Sequence, residues 1–369
     1  MIDSNNKKIV HILPAFFYEK EYSFEKISSS GGGERFASQL SLQISKILDT
    51  TLITFGEKDY EFKYNTLNIK IIKCNPFLKS INGKVDFLSL SLIKEIKNYD
   101  IIHAHQYYAD STLLAVIAGK YFGKQVFVTD HGWRGFNFAR FFPTKFFAKK
   151  LLIQTLYDKR RFNLNKNKYD LIYGGVDLIK FKYSNNKIRK VVFLGRILPH
   201  KGIDVLIKSL DDKTECLVLG HKLDDEYFKD LKRIANRKQV QFIIDPSDAE
   251  IINELQSSSV LVLPSVDQDM YGKKVNNPEL FGLVVAEAFS TGTPVIVSNC
   301  GALPYVVDNG INGFVVKQNS IEQLRDKINF ILSNKRITIN MGKNGRKKVE
   351  KLYNWENVAQ ICIKNYLNK

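Results

Sequence analysis

"NPELFGLVVAEAFSTGTPVIVS" (277–298) runs from a helical pattern straight into a strand pattern. Residues 280–289 are nearly all apolar, which predicts a buried helix, and 293–298 are typical of a buried strand. Glu279 precedes this helix and Glu287 lies inside it, although an unpaired carboxylate is costly in a protein interior. From their spacing alone, the two glutamates either pair with lysines or grip a ligand that offers hydroxyl groups.

The same alternation extends along the whole chain. Strands are predicted at 8–14, 50–55, 68–74, 100–106, 125–132, 170–175, 191–196, 215–220, 240–244, 260–265, 293–298 and 313–316. Helices are predicted at 33–48, 87–98, 111–123, 202–210, 225–236, 249–258 and 321–334. Two successive βα arrays predict an α/β protein with two parallel sheets, each covered by helices on both faces. The polar, basic stretch 181–190 is interpreted as a linker between domains at 1–180 and 191–352.

Composition narrows the class of protein. The 369 residues carry a net charge of +17, which favours an anionic partner such as a nucleic acid, a membrane surface or a phosphorylated ligand. The four cysteines are far apart, so neither a zinc site nor a disulfide framework is predicted. No apolar run reaches the roughly 18 residues that span a bilayer. We expect a cytoplasmic protein, either soluble or peripheral at the cytoplasmic membrane face.

Two loops that follow predicted strands offer groups for an anion. In "SSSGGGERF" (28–36), Gly32 and Gly33 open a helix and let backbone N–H groups approach a ligand, although a flexible surface loop is the alternative. In "FLGRILPHKGIDVLIKSL" (193–210), Gly195, Arg196 and Lys201 suit a diphosphate. Two solvated surface cations are the alternative there.

The start of the helix in the first segment is a third candidate anion site. The N–H groups of Phe281, Gly282 and Leu283 lie in or beside its first turn, where the helix dipole favours negative charge. Glu279 and Glu287 flank this turn. Together they could hold two sugars joined by a diphosphate.

Histidines end two predicted strands. His103 and His105 share a strand face, so a metal pair is conceivable, but no third ligand is apparent and no metal site is predicted. "DQD" (267–269) is interpreted as solvated acids. His131, beside Gly132, is the better candidate for a catalytic or positioning role.

Taken together, these segments resemble the retaining glycosyltransferases of family 4, which have the GT-B fold of two facing Rossmann-like domains. The matching segments are SGGGERF (30–36), DIIHAHQ (100–106), TDHG (129–132), GGVDLIKF (174–181), FLGRILPHKGIDVLI (193–207), VLVLPS (260–265), 278–307 and GINGFVV (310–316). "YNWENVA" (353–359) and the final helix resemble the family's C-terminal segment, which crosses back to the N-terminal domain. The resemblance therefore implies that residues 353–369 pack on that domain.

The resemblance also implies roles for residues. Arg196 and Lys201 would neutralise a diphosphate, Glu279 would bind hydroxyls of the transferred sugar, and Glu287 would bind the ribose. The donor site would further include Gly195, Phe281, Gly282 and Leu283. His131 would approach the donor sugar, and Gly32 and Gly33 would lie near the phosphates or the acceptor. No metal or other cofactor is implied, because cations and a helix start stabilise the leaving phosphate.

The expected function is transfer of a sugar, with retention, from a UDP- or GDP-sugar to a lipid-linked saccharide or glycolipid precursor. One alternative is a soluble glycosyltransferase that acts on a small sugar or sugar phosphate, and a GT-B epimerase is more distant. Only the net charge favours a nucleic-acid-binding protein. No nucleic-acid-binding module is recognisable in the sequence, which argues against this class.

Two segments depart from the family pattern or add to it. Residues 266–278 form a longer loop than the family's usual link and could shape acceptor or donor choice. Residues 134–162 mix phenylalanines with basic residues, which predicts attachment to an anionic membrane surface; an ordinary surface helix is the alternative. The roles of Trp133 and Arg134 are left open.

Overall fold

The computed structural model describes residues 7–74, 89–132, 141–142, 144–275 and 279–368. The chain forms two compact units, Met1–Tyr173 with Trp355–Lys369, and Gly174–Asn354. Parts of some predicted segments lie outside the described residues. These parts are 87–88 of a predicted helix, Trp133, 134–140 and 143 of the basic segment, 276–278 of the long loop, and 369 of the C-terminal segment.

The first unit is built on an eight-stranded sheet. Its strands are β1 (Ile9–Phe17), β2 (Thr50–Gly56), β3 (Tyr60–Tyr64), β4 (Leu67–Lys73), β5 (Ile101–His105), β6 (Gln125–Thr129), β7 (Lys150–Ile153) and β8 (Tyr169–Leu171). Its helices are α1 (Phe24–Ser29), α2 (Gly32–Ser45), α3 (Ser91–Ile96), α4 (Asp110–Tyr121), α5 (Thr144–Phe147) and α6 (Leu156–Arg161). The strand order is β3-β4-β2-β1-β5-β6-β7-β8, and all described pairings except β3–β4 are parallel.

The second unit is built on a six-stranded parallel sheet. Its strands are β9 (Ile188–Leu194), β10 (Glu215–Gly220), β11 (Val240–Ile244), β12 (Ser258–Leu263), β13 (Val295–Ser298) and β14 (Gly313–Val316), in the order β11-β10-β9-β12-β13-β14. Its helices are α7 (Ile203–Ser209), α8 (Asp225–Ile234), α9 (Asp248–Ser257), α10 (Leu283–Ser290), α11 (Leu303–Val306), α12 (Ile321–Ser333) and α13 (Lys335–Lys348). A π-helical turn, Val349–Tyr353, follows α13.

The predicted linker lies inside the second unit. Phe181 is 2% exposed, and its carbonyl accepts hydrogen bonds from Ser290 Oγ at 2.7 Å and from Arg346 Nη1 at 3.2 Å. The Lys187 ammonium is buried and donates to the carbonyls of Gln256 and Thr291 at the ends of two helices. Composition suggests a linker here because it does not report that the Lys187 side chain is buried against these helix ends.

A last helix, α14 (Trp355–Leu367), belongs to the first unit. Trp355, Val358 and Cys362 join Phe36 and Leu40 of α2 in one buried apolar cluster. Full burial of each large apolar side chain contributes about 1.5–3 kcal/mol. Residues from Trp355 onward therefore share a buried core with α2 of the first unit. No described helix has the length and apolarity that crossing a bilayer requires.

Candidate functional site

Each sheet has one place where successive connections leave in opposite directions. In the second unit this place lies between β9 and β12, because β10 and β11 follow β9 on one side while β12 lies on its other side. In the first unit it lies between β1 and β5. Ligands of open parallel sheets bind outside the carboxyl ends of the strands at such points. The loops after these four strands carry most of the predicted site residues.

Lys201 and Glu279 meet at the carboxyl edge of the second sheet. The Lys201 ammonium forms an ion pair with Glu279 Oε1, and the two side chains are only 13% and 14% exposed. Ser265 Oγ donates to the same carboxylate oxygen at 3.3 Å. Glu279 therefore has a lysine partner, which is one of the two alternatives that its spacing left open. That lysine is also the residue predicted to bind a phosphate.

Neighbouring groups favour the ionised form of Glu279. Burial opposes ionisation, but the ammonium of Lys201 outweighs it, so the pKa of Glu279 lies below its ordinary value. Burial and the adjacent Lys201 lower the pKa of His200 to about 4, so His200 is neutral at pH 7. The edge therefore holds a carboxylate, an ammonium and a neutral imidazole within interacting distance.

Gly202 explains how Lys201 reaches this edge. Its φ of +66° lies in the left-handed region, and a Cβ there would lie 2.1 Å from the carbonyl oxygen of Pro264. The loop after β9 thus packs directly on the backbone after β12. Because a side chain would force these two segments apart, glycine is required here.

The start of α10 lies next to Glu279 in the chain. Gly282 is the N-cap residue, with a φ of +76°, and Leu283 begins the helix. Within the described residues, the N–H groups of Phe281, Gly282 and Leu283 have no hydrogen-bond acceptor. These three N–H groups are the donors of the predicted anion site, which stays a prediction. The Phe281 ring itself is buried against Tyr353, with ring centroids 5.1 Å apart.

The remaining donor-site predictions are placed as follows. Glu287 is 4% exposed within α10. Gly195 follows β9 directly, and Arg196 is exposed beside it. The charge of Arg196 contributes to the lowered pKa of His200, after burial and Lys201. Arg196 therefore lies within electrostatic range of the Lys201–Glu279 edge.

Two aspartates of the long loop, Asp267 and Asp269, accept hydrogen bonds that order its described part. Asp267 accepts from Gln318 Nε2 at 2.8 Å and from Cys300 Sγ at 3.2 Å. Asp269 accepts from the backbone N–H groups of Tyr271 and Lys273, each at 3.0 Å. The aspartates predicted to be merely solvated thus shape this loop.

In the first unit, Gly33 and His131 come together at the carboxyl edge. Gly32 and Gly33 form the first turn of α2, with Gly31 as N-cap. A Cβ on Gly33 would lie 2.9 Å from His131 Cβ and 2.8 Å from Gln106 Nε2. Gln106 follows β5 with a φ of +66°, a conformation unusual outside glycine. No local sequence pattern predicts that Gln106 packs against Gly33.

A third histidine joins His103 and His105, which corrects the expectation that no third ligand is present. His11, on β1, lies in register with His103 on β5. Nitrogen atoms of the three fully buried rings lie within 4.8 Å of one another. The signal for His11 was weak, because it stands alone in an apolar strand and only strand pairing brings it to the others.

Asp130, the residue before His131, belongs to a buried cluster of charged side chains. The Arg161 guanidinium pairs with Asp130 and lies 3.6 Å from Asp158 Oδ1, and all three side chains are less than 9% exposed. Asp130 also accepts from the N–H of Tyr107 at 3.0 Å. Burial raises the pKa of Asp158 to about 7. Arg161, assigned from sequence to a membrane-facing segment, is instead an interior residue.

The glycine turn provides a matched prediction. We expect Gly33→Ala to lower the melting temperature, because the new methyl group would overlap the His131 Cβ. Gly32→Ala should leave it unchanged or raise it slightly, since a Cβ at Gly32 meets no atom within 4 Å and alanine reduces the entropy of the unfolded chain. Thermal unfolding followed by circular dichroism distinguishes the two. Equal melting temperatures would contradict the packing described here.

Comparison with known proteins bears on this geometry. Residues 177–348 match the family model described as glycosyl transferases group 1. An uncharacterized glycosyltransferase of Methanocaldococcus jannaschii is 25% identical over 324 residues, which is 83% of this chain and 87% of that protein. A relative in Campylobacter jejuni, the N,N'-diacetylbacillosaminyl-diphospho-undecaprenol alpha-1,3-N-acetylgalactosaminyltransferase, is 24% identical over 86% of this chain and 91% of its own length.

Among solved structures, Anabaena HepE in complex with UDP and glucose superposes with a TM-score of 0.73 at 17% identity. The match covers 98% of this chain and 99% of HepE. It confirms the predicted fold class, two Rossmann-like domains of GT-B type. Family model, relatives and fold agree that the chain is a glycosyltransferase, and its residues 177–348 are similar to the glycosyl transferases group 1.

Proposed function

We propose that the chain transfers a sugar from a nucleotide-sugar donor to a lipid-linked saccharide, with retention and without a metal. The observation that carries the donor assignment is the Lys201–Glu279 pair beside the start of α10. A carboxylate that can accept hydrogen bonds from sugar hydroxyls, an ammonium, and backbone N–H groups without an acceptor in the described part of the chain lie along one edge of one unit. A sugar diphosphate presents the complementary groups.

The chemistry follows from where charge develops. When the bond between sugar and diphosphate breaks, the sugar gains positive character and the leaving phosphate gains negative charge. Lys201, Arg196 and the N-terminal end of α10 would stabilise the phosphate. Glu279 would orient the sugar through its hydroxyls and is not assigned as a nucleophile. The leaving phosphate would assist deprotonation of the acceptor on the same face, which retains the configuration.

A thermal-shift screen tests the donor. HepE holds UDP and glucose, so we expect UDP or UDP-sugars to raise the melting temperature, with GDP- and ADP-sugars as comparators. Stabilisation by a ligand at 100 times its Kd is about 2.7 kcal/mol. The shift should persist in EDTA. Absence of a shift with every nucleotide sugar would contradict the proposal, and a shift abolished by EDTA would contradict metal independence.

The acceptor proposal rests on similarity and on a surface. The Campylobacter relative is named for an acceptor that carries diphospho-undecaprenol. In the present chain, α4, α5 and residues 141–142 before α5 expose large apolar side chains, termed here the aromatic patch: Ile117, Tyr121, Phe141, Phe142, Phe146 and Phe147. Lys120 Nζ lies 5.0 Å from the Phe147 ring centroid, and Lys145 Nζ lies 5.5 Å from that of Phe146. Aromatic rings interspersed with lysines suit an anionic membrane surface.

The structure changes which residues would form this surface. The segment 134–162 is not one helix, since its described part contains α5, β7 and α6. Lys150 pairs with Asp170, and Arg161 is buried. The contribution to membrane binding would come from α5 together with the outer face of α4, which lies earlier in the chain.

Sedimentation with vesicles tests this surface. We expect binding to phosphatidylglycerol vesicles at low salt and its loss in the double variant Tyr121→Ser/Phe146→Ser, because two exposed rings of the aromatic patch are removed. Phe330→Ser is the control, since Phe330 is an exposed ring of the second unit. If wild-type protein stays in the supernatant, the membrane proposal fails. A soluble sugar or sugar phosphate then becomes the acceptor to test.

A further inference from the structure

A chain of hydrogen bonds between interior groups of the first unit runs from a backbone carbonyl to His131. Its members, in order, are the Leu152 carbonyl, Thr129, His103, Tyr366, His11, His105 and His131. They come from six elements or their ends: β7, β6, β5, α14, β1 and the loop after β6. The sequence places these residues up to 355 positions apart.

The direction of the chain is set at its first bond. Thr129 Oγ1 donates its only proton to the Leu152 carbonyl at 2.8 Å. The same oxygen lies 2.8 Å from His103 Nε2 and must therefore accept from it. His103 is thus protonated on Nε2. Its Nδ1 then accepts the hydroxyl proton of Tyr366 at 2.6 Å.

The hydroxyl of Tyr366 determines which ring nitrogen of His11 carries a proton. Its proton is used by His103, so its oxygen presents lone pairs to His11 Nε2 at 3.4 Å. An unprotonated Nε2 on His11 would place two lone pairs face to face in a site from which water is excluded, which is unfavourable. His11 therefore carries its proton on Nε2 and donates to Tyr366.

The last two bonds follow without further choice. His11 Nδ1 lies 3.0 Å from His105 Nε2 and must accept from it. His105 Nδ1 lies 3.0 Å from His131 Nε2 and must accept in turn. Each ring needs to be neutral for this pattern. Burial lowers the pKa of His11 to about 3 and that of His131 to about 4, and it holds those of His103 and His105 well below their usual range.

We propose that this chain fixes His131 in the tautomer protonated on Nε2, so that its Nδ1 acts as a hydrogen-bond acceptor for a sugar hydroxyl at the carboxyl edge of the first sheet. His105, His11, His103 and Tyr366 are positioning residues that act through His131. The proposal rests on the proposed function for its ligand class, a sugar. The tautomer itself is a property of the ligand-free protein.

Three buried histidines also raise the alternative of a metal site. Nitrogen atoms of His11, His103 and His105 lie within 4.8 Å of one another. Five of these six ring nitrogens, however, lie within 2.6–3.0 Å of a neighbouring ring nitrogen or hydroxyl oxygen, and the sixth lies 3.4 Å from Tyr366 Oη. A metal ion bound to all three rings would have to break the chain. The two interpretations are therefore mutually exclusive.

Long-range ¹⁵N–¹H NMR of histidine-labelled, ligand-free protein reads the tautomers directly. We expect His11, His103, His105 and His131 to be neutral and protonated on Nε2 at pH 7. A His131 protonated on Nδ1 would overturn the proposal. Elemental analysis that finds one equivalent of zinc, lost in His11→Ala, would also overturn it. Neither measurement depends on transfer activity, so their failure is distinct from failure of the proposed function.

Tyr366→Phe tests the chain at a distance from His131. The ring remains packed against Phe127, but His11 loses the acceptor for its Nε2 proton. We expect His131 to become a mixture of tautomers and kcat/KM for sugar transfer to fall about three- to tenfold, the worth of one hydrogen bond. Cys362→Ala is the control: it removes the thiol that contacts Tyr366 without entering the chain. A tautomer change in Tyr366→Phe with unaltered kcat/KM would refute the link to the sugar.

Discussion

Glu279→Gln is expected to lower kcat for sugar transfer by about a hundredfold or more, the scale seen when one stabilising group is removed from an active site. Glutamine keeps the shape of the side chain, so the fold should persist. It removes the negative charge that pairs with Lys201 and accepts from Ser265. One amide oxygen cannot serve the lysine and the sugar hydroxyls as a carboxylate does. Initial rates with a radiolabelled nucleotide sugar measure the effect.

Glu254→Gln is the matched control for this experiment. Glu254 also forms an ion pair with a largely buried lysine of the same unit, Lys190. This pair joins the beginning of β9 to α9, at the opposite end of β9 from Lys201. Its loss should alter stability with little effect on kcat. If both variants retain full activity, the assignment of Glu279 is wrong. If both lose the same amount of activity, the cause is lost stability and not the loss of a catalytic group.

Arg161→Met is expected to lower the free energy of unfolding of the first unit by about 3–5 kcal/mol, the cost of leaving buried carboxylates without their cation. Asp130 and Asp158 are 2% and 1% exposed, and Arg161 lies between them. Methionine fills part of the space but offers no charge. Urea unfolding followed by fluorescence and circular dichroism measures the change. Arg160→Met is the control, since that neighbouring arginine is exposed and such substitutions usually change stability by less than about 0.5 kcal/mol.

The loss should depend on pH in a defined direction. Burial already raises the pKa of Asp158 to about 7 in the presence of Arg161. A carboxyl whose folded pKa exceeds its unfolded value stabilises the fold while protonated, and that contribution is lost as pH rises through the folded pKa. Arg161→Met should therefore be less destabilising at pH 5 than at pH 8. A larger loss at pH 5 would contradict this account.

Patterns local in sequence predicted much of the fold. Strands β10, β11 and β14 begin and end where the periodicity placed them, because buried parallel strands are short apolar runs bounded by turn residues. β3 was missed: as an edge strand it is polar and half exposed, so it carries no apolar signal. β7 was missed because it is only four residues long and follows a basic, aromatic segment.

The candidate site was predicted as separate residues, and their partners were not. Arg196, Lys201 and Glu279 follow strands, and strand ends at a topological switch point can be inferred from sequence. The pairing of Lys201 with Glu279 depends on the close approach of two backbones at Gly202, which no local pattern reports. His11, Arg161 and Tyr366 were likewise missed as parts of the site, since each acts through tertiary contacts across the first unit.

The placement of α14 has a consequence for how the chain is made. The first unit is discontinuous, and the whole second unit is synthesised before Trp355 leaves the ribosome. Domains generally fold as units during synthesis. The second unit can therefore complete its core while residues 7–173 still expose the apolar face that α14 covers. Because Tyr366 lies on α14, the proton orientation proposed for His131 can be established only after the second unit has been synthesised and α14 has docked.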